Sequence, residues 1–357
     1  MERTVFKSPE GAECNDGNKF STYNFTKMKA RQVGMMVVVG VVCLTGRAMA
    51  QQQPLYSQYM LDAFLVNPAV AGAEGVTAIN LTARQQWMGY SDAPSTYALS
   101  AQTRILKTSF RNRSRLVRSR VRRRRPSGKV GLGAFVFNDN NGRIHRTGFQ
   151  GTYSYHIYMR DYQLSFGASI SAFQFKANVT SQDGYTQEND MLLVGKTSKF
   201  APDANVGVLF SGNNFYAGLS ITSLFQSSIQ FGGGNSETAY RLLRQYYIVG
   251  GYRYQPYRSD YAIEPSILFT TTERLQLNAD FNVKGYYKDN YWVGVSVRTS
   301  GAVVTMIGMK YQQFYFGYAY DYNFSDVSNI SSAGSHELMI GLKLGDSARR
   351  YRWLNRF

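Results

Sequence analysis

Residues 163–172 read QLSFGASISA. Leu164, Phe166, Ala168, Ile170 and Ala172 take one set of alternate positions, and Gln163, Ser165, Gly167, Ser169 and Ser171 take the other. Successive side chains of a strand point to opposite faces, so this alternation describes a strand with one apolar and one polar face. Strands of soluble sandwiches are usually about five or six residues long. About ten residues is the length a tilted strand needs to cross a bilayer. The pattern recurs at 275–284 (LQLNADFNVK), where Leu275, Leu277, Ala279, Phe281 and Val283 oppose Gln276, Asn278, Asp280, Asn282 and Lys284. At 314–322 (FYFGYAYDY), Phe314, Phe316, Tyr318, Tyr320 and Tyr322 alternate with Tyr315, Gly317, Ala319 and Asp321. The expected class is all-β, a transmembrane antiparallel β-barrel.

Composition agrees. The 357 residues include 27 Tyr, 22 Phe and 33 Gly but only 8 Pro, and mean hydropathy is −0.32. These values suit a barrel with one face to lipid and one to water. Period-2 segments fall at 76–87, 95–105, 129–138, 144–158, 161–175, 203–211, 214–222, 244–255, 260–270, 273–284, 289–298, 301–310, 313–322 and 333–344. That makes about 14 strands, an even number as bacterial single-chain barrels have.

The start of the chain reads as an export signal. Lys29 and Arg31 precede an apolar run from Val33 to Leu44, and Ala48-Met49-Ala50 has the small-x-small form of a cleavage site. The expected organisation is therefore 1–50 as an over-called start plus signal peptide, cleaved after Ala50. A lead-in or plug follows at 51–75, then the barrel at 76–345 and a basic tail at 346–357. Both cysteines, Cys14 and Cys43, precede the cleavage point, so the mature chain is expected to carry no disulfide and no Cys-ligated metal.

Charge is concentrated. Between Lys107 and Lys129 lie eleven Lys and Arg and no acidic residue, including Arg111, Arg113, Arg115, Arg118, Arg120, Arg122, Arg123, Arg124 and Arg125. With residues 1–50 (seven basic, four acidic) and 346–357 (four basic, one acidic), this run accounts for the whole formal charge of +17. Barrels have short periplasmic turns and longer outer loops. Here the connections after even-numbered strands are short, around Arg160, Gly212–Asn213, Pro256–Ser259, Tyr286–Lys288 and Gln312, whereas 176–202 and 223–243 follow odd-numbered strands. The basic insert follows strand two, so parity places it in the periplasm together with the start of the tail. A solvated loop is one reading. A docking patch for an acidic protein or anionic headgroups is the other, each Lys or Arg near a membrane contributing about 1 kcal/mol. Nucleic acid suits the composition alone, but an exported chain meets little of it, and no nucleic-acid partner is expected.

Several motifs bracket the mature chain: Ser57-Gln58-Tyr59-Met60, Asn67-Pro68-Ala69-Val70-Ala71-Gly72, Arg84-Gln85-Gln86-Trp87, Asp92-Ala93-Pro94-Ser95-Thr96, Gly317-Tyr318-Ala319-Tyr320-Asp321 and Gly334-Ser335-His336-Glu337-Leu338. In this order they resemble the PorP/SprF family of the type IX secretion system. The resemblance implies an outer-membrane barrel of Bacteroidetes-type bacteria that supports protein secretion, in some members with gliding motility or adhesion. It implies as partners outer-membrane lipids, periplasmic secretion-system lipoproteins including a peptidoglycan-binding one, and secreted cargo with a C-terminal sorting domain. The Arg-rich insert is not part of that pattern.

Pro68 fixes its own φ and pushes Asn67 to an extended conformation, and Gly72 and Gly75 permit tight turns, so 67–75 is expected to bend into the first strand. Tyr56–Val66 could form a short helix, with Leu55, Tyr59, Leu61 and Phe64 free to pack, either plugging the lumen mouth or remaining a periplasmic lead-in.

Catalytic chemistry is not legible. His145, His156 and His336 lack metal-ligand spacing. Asp139-Asn140-Asn141-Gly142 lacks the later Glu of a calcium loop and reads as a hairpin turn. Gly232-Gly233-Gly234 lacks the Lys of a phosphate loop. Asp280 and Asp321 are expected to hydrogen-bond across the lumen. No cofactor and no enzymatic activity are expected. Besides a secretion component, the pattern also resembles fatty-acid transporter barrels, which makes a channel for a hydrophobic or small ligand the alternative.

Overall fold

The computed structural model describes residues 56–345 apart from 91, 106–128, 143, 160, 180–194, 231–238 and 325–332. The signal segment, the basic patch Arg111–Arg125, Gly232–Gly234 and the tail lie outside the described residues.

Among the described residues, fourteen strands close into one antiparallel barrel. They are β1 (Thr77–Gln85), β2 (Ser95–Ile105), β3 (Val130–Asn141), β4 (Ile144–Met159), β5 (Tyr162–Val179), β6 (Gly195–Ser211), β7 (Phe215–Thr222), β10 (Gln245–Tyr252), β11 (Tyr261–Thr272), β12 (Asn278–Tyr287), β13 (Tyr291–Arg298), β14 (Ala302–Tyr311), β15 (Phe314–Asn323) and β16 (Ser335–Leu344). Two short strands between β7 and β10, β8 (Ser228–Gln230) and β9 (Ala239–Arg241), form a separate hairpin. The seam joins first strand to last, from Thr77↔Leu344 to Gln85↔His336. A closed barrel has no free edge, as the bilayer demands of any β-structure that crosses it.

The faces are inverted relative to a soluble protein. Ile170 is 73% exposed while its neighbours Ser169 and Ser171 are 3% and 8% exposed. Leu81, Leu99, Val136, Val283 and Val295 likewise face outward, and Asn80, Ser100, Asn282 and Ser296 are buried within. Near the rim the code changes. On β5, Phe173 and Phe175 turn inward while Gln174 and Lys176 face out.

Three segments depart from the periodicity. β6 begins at Gly195, where 203 was expected. β5 and β6 pair as far as Val179↔Gly195, beyond the apolar band, where a hairpin in water needs no apolar alternation. β12 begins at Asn278, not 273. Leu275 adopts φ 55° and donates its N–H to Thr272 O (2.9 Å), so the first three residues of the 275–284 alternation lie outside the strand. Finally, Tyr56–Val66 is not one helix. It consists of turns ending in a 3-10 turn at Ala63–Leu65, followed by a second at Pro68–Val70.

That segment lies inside the barrel. Tyr59, Met60 and Leu61 are buried in one cluster with Trp292, Met306, Tyr315 and Met339 from the wall. Phe64 packs with Ala69, Ala71 and Leu209. The chain passes from one rim to the other. Tyr56 packs with Ala98, Phe137, Phe173 and Leu242 towards the rim of Gln85 and Ser335, while Gly72 and Ala73 lie by Thr103 and Arg104 at the rim of Thr77 and Leu344. A Cβ on Gly167 would overlap the Pro68–Ala69 peptide. The wall is carved to receive the bend.

Candidate functional site

The alternation of β15 and β16 sorts the C-terminal motifs by face. Asp321, Ser335 and Glu337 point inward, and Tyr318, Tyr320 and His336 point outward. The outward set forms a small exterior cluster: Tyr318 Oη lies 2.7 Å from His336 Nδ1, and the Tyr320 ring lies tilted against the imidazole with centroids 5.2 Å apart.

The inward set builds a buried ionic network. Arg84 donates from Nη2 to Asp321 (2.7 Å) and from Nη1 to Glu337 (3.0 Å). Arg298 donates from Nε to Asp280 and from Nη1 to Asp321, both at 3.1 Å. Arg84 and Glu337 are register partners across the seam, so the network also ties first strand to last. All five charged side chains are buried.

The network is completed by the N-terminal segment. Glu337 accepts the backbone N–H of Ser57 on Oε2 (2.7 Å) and of Gln58 on Oε1 (2.9 Å). Ser57 Oγ donates to Asp321 (2.7 Å) and accepts from both Arg84 and Arg298. The Gln58 amide reaches the Glu337 carbonyl (3.2 Å), and Asn282 donates to the Tyr59 hydroxyl. Three carboxylates thus face two guanidinium groups, and the excess negative charge meets peptide N–H groups. A Cβ on Gly317 would overlap the Gln58 side-chain oxygen and come within 2.8 Å of Leu61.

Further along, Asn67 is extended (φ −135°, ψ 115°) and its Oδ1 accepts the Ala69 N–H. Its Nδ2 donates to Val208 O at 3.0 Å. Pro68 opens the second 3-10 turn, where no N–H is needed. Gly72 (φ 67°) donates to Gln102 (3.1 Å) and accepts from Arg104 (2.8 Å). Ser154 Oγ donates to Ala71 O at 2.5 Å, with His156 Nε2 3.1 Å from the same oxygen.

The remaining motif residues gather at the rim of Gln85 and Ser335. Gln86 N–H bonds Pro94 O (2.8 Å), and Trp87, at φ 45°, donates its N–H to Ser335 Oγ (3.2 Å). Met88 N–H reaches Gly334 O (2.9 Å), and Thr96 donates to Asp139 (2.7 Å). The motifs separated by most of the chain therefore meet at one seam and one lumen site.

Sequence reading placed Asp280 and Asp321 in the lumen but missed their partners. Arg298 ends β13, and its inward parity after Val295 and Val297 was the available signal. The three histidines stay apart: His145 lies by Asn140 (2.8 Å), His156 in the lumen and His336 outside. Among the described residues no group of three or more His, Cys, Asp or Glu is placed to hold a metal.

A family profile described as "Type IX secretion system membrane protein PorP/SprF" matches residues 48–342. The chain belongs to this family. No curated protein sequence matches it. Among solved structures, it is similar to the Ralstonia pickettii toluene transporter TbuX at 9% identity, over 79% of this chain and 92% of that one, with a TM-score of 0.45. It is also similar to the KdgM porin (10%, 75% and 98%, TM-score 0.34) and the Acinetobacter baumannii outer membrane protein Omp33 (9%, 75% and 97%, TM-score 0.38). With this family membership and an apolar exterior around a closed barrel, the PorP/SprF chain is a multi-pass β-barrel of the outer membrane.

Proposed function

We propose that this PorP/SprF chain is a non-enzymatic anchor of the type IX machinery, a barrel closed by its own N-terminal segment and not an open pore. The observation that carries the reading is the rim-to-rim course of that segment, latched by Arg84, Arg298, Asp321 and Glu337. Arg84, Arg298, Asp321 and Glu337 are engaged in holding peptide, while Lys284 pairs with Glu264 at 3.5 Å. The rim bearing Thr77 and Leu344 faces the periplasm, so the insert 107–129 and the tail meet periplasmic lipoproteins, including a peptidoglycan-binding one. Cargo with a C-terminal sorting domain is handled at the opposite rim.

One observation favours a channel. A cavity of about 90 Å³ beside the segment is lined by Tyr56, Phe135, Phe137, Phe173 and Tyr247, with Arg146 over two of the Phe rings. Planar-bilayer recordings of the purified protein decide between the two. Closed barrels that conduct only after Glu337→Ala support the anchor, and steady wild-type conductance overturns it.

A further inference from the structure

What the latch grips is generic to peptides. Glu337 takes two consecutive backbone N–H groups, the guanidinium groups take one hydroxyl, and Asn282 takes one phenol. Gly317 supplies the space for an amide side chain. None of these contacts requires that the peptide be joined to β1. The join lies at Val76–Thr77, at the other rim, whereas Tyr56 lies towards the rim of Gln85 and Ser335. A second chain arriving there would meet the latch first and the Asn67–Gly75 bend last.

We propose that the latch is an exchangeable peptide-binding site. Its incoming ligand is a flexible polypeptide segment with an aromatic, hydroxyl, amide, aromatic order of side chains, presented at the rim of Gln85 and Ser335. That segment displaces Tyr56–Tyr59 and gives its consecutive amides to Glu337. A tethered resident competes at an effective concentration in the millimolar range, so the displacing segment belongs to a partner already docked at that rim. The proposal rests on the closed-barrel reading and adds exchange to it.

The test uses a fluorescent peptide of the Tyr56–Gly75 sequence and detergent-purified full-length protein. Ser57→Ala weakens the resident segment while leaving the wall intact. The expected result is about tenfold tighter peptide binding to Ser57→Ala than to wild type, one charge-assisted contact's worth, and loss of binding in the Ser57→Ala, Glu337→Ala double variant. A barrel lacking 51–75, where it folds, binds the peptide with the same dependence on Glu337. Equal weak binding to wild type and Ser57→Ala, or binding indifferent to Glu337, overturns the proposal. Bilayer recordings keep the two readings apart: a barrel that stays closed yet never takes the peptide retains closure and loses exchange.

Discussion

Glu337 shows what a single side chain can decide in this molecule. Removing its carboxylate takes the acceptor from two peptide N–H groups and the ion-pair partner from Arg84 Nη1 inside a buried site. Breaking one partner of a buried ion pair costs about 3–5 kcal/mol, more than a neutral hydrogen bond, which contributes about 0.5–1.5 kcal/mol. Glu337→Ala is therefore expected to release Tyr56–Gly75 while the strands stay paired, read as fast amide exchange confined to the segment. Gly317→Val should do the same by crowding, since its Cβ would overlap Gln58. Tyr318→Phe is the contrast. It removes only the contact with His336 on the outer face and should shift stability by about 1 kcal/mol or less, with segment exchange unchanged.

At the scale of elements, the strands were legible because lipid on one side and a polar lumen on the other impose period 2 on every pass. Where those solvents end the code ends, which is why β6 extends eight residues beyond its apolar pattern and β12 starts after Leu277. The N-terminal segment gave no such signal. It packs apolar residues against a mixed wall within a lumen whose shape no local window encodes. The latch was hidden for another reason, since Ser57 and Glu337 are 280 positions apart. Parity alone did place Asp280 and Asp321 on inward positions, whereas Arg84 and Glu337 stood out only as parts of motifs. The bend offers a test at this scale. Asn67→Ala removes the acceptor for Ala69 N–H and the donor to Val208 O, a turn-cap loss of about 1 kcal/mol or more. It should raise proteolysis near Pro68 without opening the seam.

At the scale of the whole molecule, the chain leaves β2 at Ile105 and re-enters at Val130 on the rim that also carries Thr77 and Leu344. β2 and β3 pair directly up to Ile105↔Val130, so deletion of 111–125 should leave heat-modifiable, folded protein in the outer membrane. Co-purification of periplasmic components should fall, measured by mass spectrometry of matched pull-downs. Unchanged recovery would remove the docking role of the basic insert. A tag placed just ahead of Tyr56 should be reached by reagents at the cell surface, the side opposite to a tag within the insert.

A rope cannot be drawn through a ring already welded shut without passing a free end. The seam that joins first strand to last is β1–β16, and Arg84 opposite Glu337 sits on it. Either the leading residues slip through a finished cylinder end first, or the cylinder is sealed around them. The second order makes the segment a mould for closure, so that early maturation defects, not leaky adults, would be the first sign of its loss.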